Sequence, residues 1–182
     1  TDVIHGSTVA TNALLERRGA RTALITTAGF TDVLAIGRQN RPDLYALTPQ
    51  KPEPLVPAAW RFGVVERVSS QGDVLRPLDE DSVTAVLKAI QTDNIEAVAV
   101  CLLFSFLHPD HERQIKNRLQ AANPALHISL SCEILPEYRE YERTATTVIN
   151  AYVAPLMGQY LSRLADGLAP RRLSIMQSNG GI

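Results

Sequence analysis

In the middle of the chain the spacing of apolar residues changes character from one stretch to the next. Val83, Val86, Leu87 and Ile90 recur at intervals of three and four, one stripe of a helix that Asp79 is placed to cap. The run EAVAVCLLF, Glu96 to Phe104, has no polar alternation after its first residue, the pattern of a strand buried on both faces. Helical spacing returns from about Asp110 to Ala122 with Ile115 and Leu119 inward, and His127 to Ser131 reads as another strand. Strand, helix and strand in that order predict a parallel pair within an α/β layer.

The flanks are less regular. Ser7 or Thr8 can cap a helix running to about Arg18, with Gly19 as its left-handed stop. Arg21 to Thr27 reads as a short strand, followed by a short helix from Thr31 or Asp32 to Ile36. Four prolines between Pro42 and Pro54, with Pro57 beyond, mark a long irregular segment of the kind that is usually functional or interface-forming. FGVVERVSS and VLRPL read as a hairpin turning at Gln71-Gly72-Asp73. A long helical region runs from about Glu137 to Leu168, where Pro155 is expected to kink or divide it. LSIMQ then gives a short strand entering SNGG, and a change of character near Arg143 sets a domain boundary: 1–142 and 143–182.

Composition adds mainly exclusions. The chain has 182 residues, 45% of them hydrophobic and 20% charged, an ordinary globular balance. A net charge of −1 offers no electrostatic footprint for nucleic acid or an anionic membrane. No apolar run approaches the length needed to cross a bilayer. Cys101 sits in an apolar run and reads as a buried free thiol, so a cytoplasmic location is expected. The start TDVIHGST, without an initiator Met, and the end at SNGGI lead to the expectation of a piece of a longer protein.

Several constellations carry chemistry, and each has two readings. HGSTVATNALLERRG packs Ser7, Thr8, Thr11 and Asn12 into one helix start, either a capped helix or one wall of a polar ligand site. IGRQNRPDLY holds Arg38 and Arg41 around Gln39 and Asn40, suited to a carboxylate or phosphate, or to pairing with nearby acids. Ser178, Asn179, Gly180 and Gly181 follow a strand, where adjacent glycines let backbone N–H groups approach a ligand. HPDHE is better read as a helix start with exposed histidines than as a metal site. LPEYREYERTATT reads as a solvated face with pairs such as Glu140 with Arg143, and its Glu142-Arg143-Thr144 step falls where a cleft between domains would lie. No catalytic residue is assigned, and no metal site is expected.

Taken together, HGSTVATNALLERRG, GRQNRPDLY, EAVAVCLLFSFLHPDHE, SCEILPEYREYERTATTVINAYVAPLMGQYLSRL and MQSNGG resemble the hydantoinase A / 5-oxoprolinase family. That family includes N-methylhydantoinases and the ATP-using subunits of acetone and acetophenone carboxylases. The resemblance implies an actin-like (sugar-kinase/Hsp70-type) ATPase fold with parallel or mixed sheet layers and flanking helices. It also implies ATP-dependent opening of a cyclic amide through a phosphorylated substrate. Thr8, Thr11 and Asn12 match its H-G-T-T-x-x-T-N stretch, with Ser7 in place of a threonine. Arg38, Asn40 and Arg41 match G-R-Q-N-R-P, and Ser178 to Gly181 match S-[D/N]-G-G. The first two groups are expected to position substrate or phosphate, and the last to form cleft backbone.

The family's phosphate loops, G-x-D-x-G-G-T-x-T-D and D-x-G-G-T-S-x-D, do not occur in this sequence, nor does its S-G-P-A-G-G segment. ATP and Mg²⁺ are therefore expected with the full-length protein and not with this stretch, which is expected to be inactive alone. A small cyclic amide and a hydantoinase B-type subunit or domain are the expected partners. An acetone-type carboxylase subunit and a non-catalytic structural module remain the alternatives.

Overall fold

The computed structural model describes residues 3–39, 53–169 and 171–176. In chain order the elements are β1 (Val3–His5), α1 (Val9–Leu15), β2 (Thr22–Thr27), α2 (Val33–Ile36), a 3-10 turn (Ala58–Trp60), β3 (Arg61–Val64), β4 (Arg67–Val68) and β5 (Val74–Arg76). There follow α3 (Glu80–Thr92), β6 (Ala97–Cys101), α4 (Asp110–Ala122), β7 (His127–Leu130), α5 (Ser131–Ile134), α6 (Glu140–Leu168) and β8 (Leu173–Ile175).

Every residue of β2 and β6 is buried, so both faces of each strand are covered, as the uninterrupted apolar run of β6 requires. They are the two central strands of a parallel sheet ordered β3-β2-β6-β7. Alternation along the strands divides the core. Ala23, Ile25, Val98 and Val100 pack with Val83, Val86 and Ile90 of α3 and Ile115 and Leu119 of α4. Leu24, Ala97, Ala99 and Cys101 pack with Val148 and Ala151 of α6. The result is a three-layer α/β unit in which each fully buried aliphatic side chain contributes about 1.5–3 kcal/mol. Asp79 caps α3 as expected, its Oδ2 accepting from the Ser82 amide at 2.8 Å.

Several boundaries differ from the sequence reading. The first helix begins at Val9, after β1, and stops at Leu15 rather than Arg18. Thr8 makes no side-chain cap, and Ser7 Oγ instead accepts from the Val9 amide at 3.2 Å. The left-handed turn falls on Arg17, at φ 53°, and not on Gly19. Gly19 answers a different demand: a Cβ there would lie 2.2 Å from the ring of Tyr152.

The hairpin is divided. Arg61–Val64 joins the main sheet beside β2, and only Arg67–Val68 folds back on Val74–Arg76. The break comes at Val65-Glu66, where Glu66 turns inward and is buried. The expected turn survives, with Gly72 at φ 91° and the Ser69 amide bonded to Asp73 O at 2.8 Å. β6 ends at Cys101 and β7 at Leu130, so Ser131 starts α5 instead of closing the strand. α6 is undivided at Pro155. All its buried residues, from Arg143 to Tyr152, precede the proline, so the missing amide falls where the helix leaves the sheet.

Candidate functional site

β1 and β8 pair in parallel with His5 opposite Ile175, so their carboxyl ends lie side by side. The Met176 amide donates to His5 O at 3.0 Å across that end. Ser7, Thr8, Thr11 and Asn12 follow directly and are exposed, the first two just before and the last two within a helix of seven residues. This segment runs along the second half of α6: Ala20 N bonds Tyr152 O at 2.9 Å, and His5 Nε2 meets Tyr160 Oη at 2.6 Å. Ser178, Asn179, Gly180 and Gly181 lie outside the described residues, as do Asn40 and Arg41.

Arg38 sits just past α2, beside the first turn of α6. Its Nε donates to Glu142 Oε1 at 2.7 Å, a charge-assisted bond of good length. Glu142 and Tyr152 are ten residues apart on one helix, about 15 Å along its axis. Arg38 and the residues that bracket the Thr8–Asn12 cluster, His5 and Ala20, therefore bond to separate stations on α6, and no hydrogen bond among the described residues joins Arg38 to Thr8, Thr11 or Asn12. The Glu142 carboxyl is held below its ordinary range by its own backbone amide and by Arg38.

The strand order reverses between β2 and β6, where open parallel sheets commonly hold ligands beyond their carboxyl ends. Here that place is filled by the protein's own side chains. Thr27 Oγ1 donates to Glu66 Oε1 and accepts from the Leu103 amide, the latter at 3.1 Å. The other Glu66 oxygen meets His111 Nδ1 at 2.9 Å. Next to them Glu112 accepts from the Leu102 amide at 2.9 Å, Ser131 Oγ at 2.6 Å and the Cys132 amide at 3.0 Å. Arg143 donates to Leu102 O at 2.8 Å and to Ser105 Oγ at 2.5 Å. Its Nε has no hydrogen-bond partner among the described residues, and its guanidinium lies 5.5 Å from the centroid of Phe106. Glu112 and Arg143 thus meet at the backbone N–H and C=O of one residue, Leu102, and share the Ser131 hydroxyl.

These side chains correct two sequence expectations. His111 is 4% exposed, not solvated, because Glu66 gives its ring a partner inside. Arg143 is 1% exposed and turns to the strand ends rather than to Glu140, because the Leu102 carbonyl and Ser105 need donors there. The signal was present. Glu112, Ile115 and Leu119 share one helical stripe, as do Arg143, Thr147 and Ala151, and a charge on an apolar stripe marks a buried, bonded charge.

Burial, opposed in part by Arg143, raises the Cys101 thiol above its ordinary range. Burial and the nearby Glu112 push Cys132 up to about 12. Neither is a thiolate nucleophile at neutral pH. Among the described residues no three His, Cys, Asp or Glu side chains converge on a metal position. Glu66 and Glu112 spend their oxygens on protein donors. Among them, no helix is long and apolar enough to cross a membrane.

Comparison with known proteins decides the family. The model described as Hydantoinase/oxoprolinase N-terminal region matches residues 1–122, and the one described as Hydantoinase/oxoprolinase matches residues 143–182. This chain belongs to the hydantoinase/oxoprolinase family. It is 36% identical over 186 residues to caprolactamase subunit alpha of Pseudomonas jessenii, covering 98% of this chain and 27% of that protein. It is 33% identical over 207 residues to 5-oxoprolinase of Saccharomyces cerevisiae, covering 97% of this chain and 16% of that protein. The crystal structure of ATP-dependent caprolactamase from Pseudomonas jessenii superimposes with a TM-score of 0.89 at 36% identity, over 97% of this chain and 26% of that one. The nucleotide-free structure of acetone carboxylase superimposes with a TM-score of 0.80 at 26% identity, over 91% of this chain and 25% of that one. The chain spans about a quarter of the caprolactamase subunit and less of the yeast enzyme.

Proposed function

We propose that this stretch builds one polar wall of the substrate cleft in an enzyme that opens cyclic amides at the expense of ATP, within an actin-like ATPase fold. The observation that carries this reading is the 0.89 TM-score at 36% identity to an ATP-dependent caprolactamase. Residues 1–142 would complete the N-terminal domain and 143–182 begin the next. Thr8, Thr11 and Asn12, exposed at the carboxyl end of a parallel strand pair, offer hydroxyl and amide groups to a polar ligand. Arg38, with Asn40 and Arg41, offers guanidinium donors to a carbonyl or carboxylate oxygen. Ser178 to Gly181 contribute cleft backbone.

An unstrained amide is a poor electrophile, and ATP supplies, elsewhere in the whole protein, the activation that makes its oxygen a leaving group. The task of this stretch is orientation: fixing the ring and excluding water before that step. Alone it turns over nothing, and the active unit includes Mg²⁺, a B-type subunit or domain and a cytoplasmic setting. The test is ATP hydrolysis by the whole protein with its partner, with ε-caprolactam or 5-oxoproline added and bicarbonate withheld. Lactam-dependent turnover supports the reading. A strict requirement for bicarbonate and a ketone would replace it with the carboxylase alternative, which the 0.80 TM-score to acetone carboxylase favours. If Thr11→Ala and Asn12→Ala lower the melting temperature and leave turnover unchanged, those residues are structural only.

A further inference from the structure

We infer that Glu142 is a positioning residue for Arg38, holding the guanidinium at the rim of a small apolar cleft; this rests on the reading above that Arg38 meets the substrate. The cleft has a volume of about 220 Å³ and lies between α2 and α6, lined by Leu34, Leu55, Tyr141, Ala145 and Ile149 among others, with Glu53 as its one charged residue. Its walls are chiefly aliphatic and aromatic, and its size fits a small ring rather than a nucleotide. Tyr141 of the wall is the chain neighbour of Glu142 and Ala145 lies one helical turn beyond it, so the ion pair stands beside the cleft without lining it.

Two features make the pair directional. The Arg38 side chain is 59% exposed while that of Glu142 is 26% exposed, so the carboxylate is the sheltered anchor and the cation is presented. The bond uses Nε, and among the described residues no hydrogen bond engages the two terminal nitrogens of the fork, which can meet another oxygen. Both backbones are also fixed. Gly37, at φ 58°, brings the end of α2 against α6, where a Cβ would stand 3.7 Å from the Tyr141 ring. Arg143, the next residue after Glu142, is bonded into the strand ends. A free surface arginine loses much rotamer entropy when it is ordered by a ligand; one already held by Glu142 loses less. The ligand class that fits is a small, mostly apolar ring bearing one carbonyl or carboxylate oxygen.

The experiment uses the whole protein with its partner and measures ATP hydrolysis against ε-caprolactam or 5-oxoproline concentration. Glu142→Ala is expected to raise KM about tenfold with kcat within about twofold, the signature of lost ground-state binding. Glu142→Gln, which keeps an acceptor oxygen, is expected to recover most of that loss. Arg38→Ala should do at least as much as Glu142→Ala, and the double variant no more than Arg38→Ala alone. An unchanged KM in Glu142→Ala beside a raised KM in Arg38→Ala overturns the inference and leaves the cleft reading standing. An unchanged KM and kcat in Arg38→Ala overturns both. If neither lactam drives turnover, the cyclic-amide reading falls and crystal structures of the natural protein and Glu142→Ala decide the positioning. Arg38 in one rotamer in the former and spread over several in the latter supports it; the same single rotamer in both overturns it.

Discussion

Glu142 and Arg143 are neighbours at the start of α6, yet one points outward to Arg38 and the other inward to the ends of β6 and β7. The outward pair is solvated on one side and built from two side chains alone. The inward group holds peptide and hydroxyl groups as well as charges, and its charged side chains are buried. The difference teaches where charge stabilises this unit and where it is left free for work. Exposed ion pairs contribute little to stability, whereas breaking a buried bonded set strands the partner charge and costs about 3–5 kcal/mol.

The largest effect should therefore come from Glu112. Glu112→Gln must turn its amide N–H₂ either to the Cys132 amide or to the Leu102 amide and Ser131 hydroxyl, donors that the two carboxylate oxygens serve now. A loss of about 3–5 kcal/mol is expected, read as a steep fall in melting temperature or in soluble yield. A shift no larger than that of an exposed Glu→Gln variant would erase the contrast between the two regions.

Next comes the apolar end of the inward face. Gly19→Ala puts a methyl group where the Tyr152 ring lies, and overpacking of this kind costs about 1–3 kcal/mol. Adding Tyr152→Ala to the same chain should remove most of the added clash, so a double-variant cycle of melting temperatures checks it.

Those two tests also show what the sequence could and could not disclose. The strand at Ala97, the cap at Asp79 and the helix over Asp110–Ala122 were legible because apolar period and capping residue agree. Gly19 was misread because a glycine after a helix looks the same whether it serves a left-handed turn or a close approach. The hairpin was overextended because FGVVERV is continuous in β propensity, and only the burial of Glu66 reveals the break. Arg143 reads as part of a solvated face, and HPDHE as a helix start with exposed histidines, because adjacent acids and bases at a helix start usually are solvated. The partner groups that pull Arg143 and Glu112 inward are backbone atoms of a distant loop, which no local pattern encodes. Of the site, Arg38 and Glu142 were each visible, but their pairing spans 104 residues of chain.

The outward pair should show a smaller effect that depends on pH. The folded Glu142 carboxyl titrates below its ordinary range, so its contribution is present above that range and is lost as pH falls through the lowered value. The natural protein and Glu142→Gln should differ slightly in melting temperature near neutral pH, and the gap should close as pH falls below the ordinary carboxyl range and through the lowered value. A gap that persists unchanged into acid would remove the ion pair as its cause.

Smallest in energy is the state of the thiols. With Cys132 pushed up to about 12, alkylation by iodoacetamide at pH 8 should be slow, and Glu112→Gln should accelerate it by removing the nearby negative charge. Rapid labelling of Cys132 in the natural protein would mean that the pocket around Glu112 is open.

The most direct measurement is hydrogen exchange of the Leu102 and Cys132 amides in the whole protein, comparing Arg143→Met with Glu142→Gln. Both amides bond to Glu112 behind Arg143. The prediction is about a hundredfold or greater acceleration in Arg143→Met and natural rates in Glu142→Gln. Equal acceleration in both variants, or a larger one in Glu142→Gln, would contradict the division of labour between the two residues.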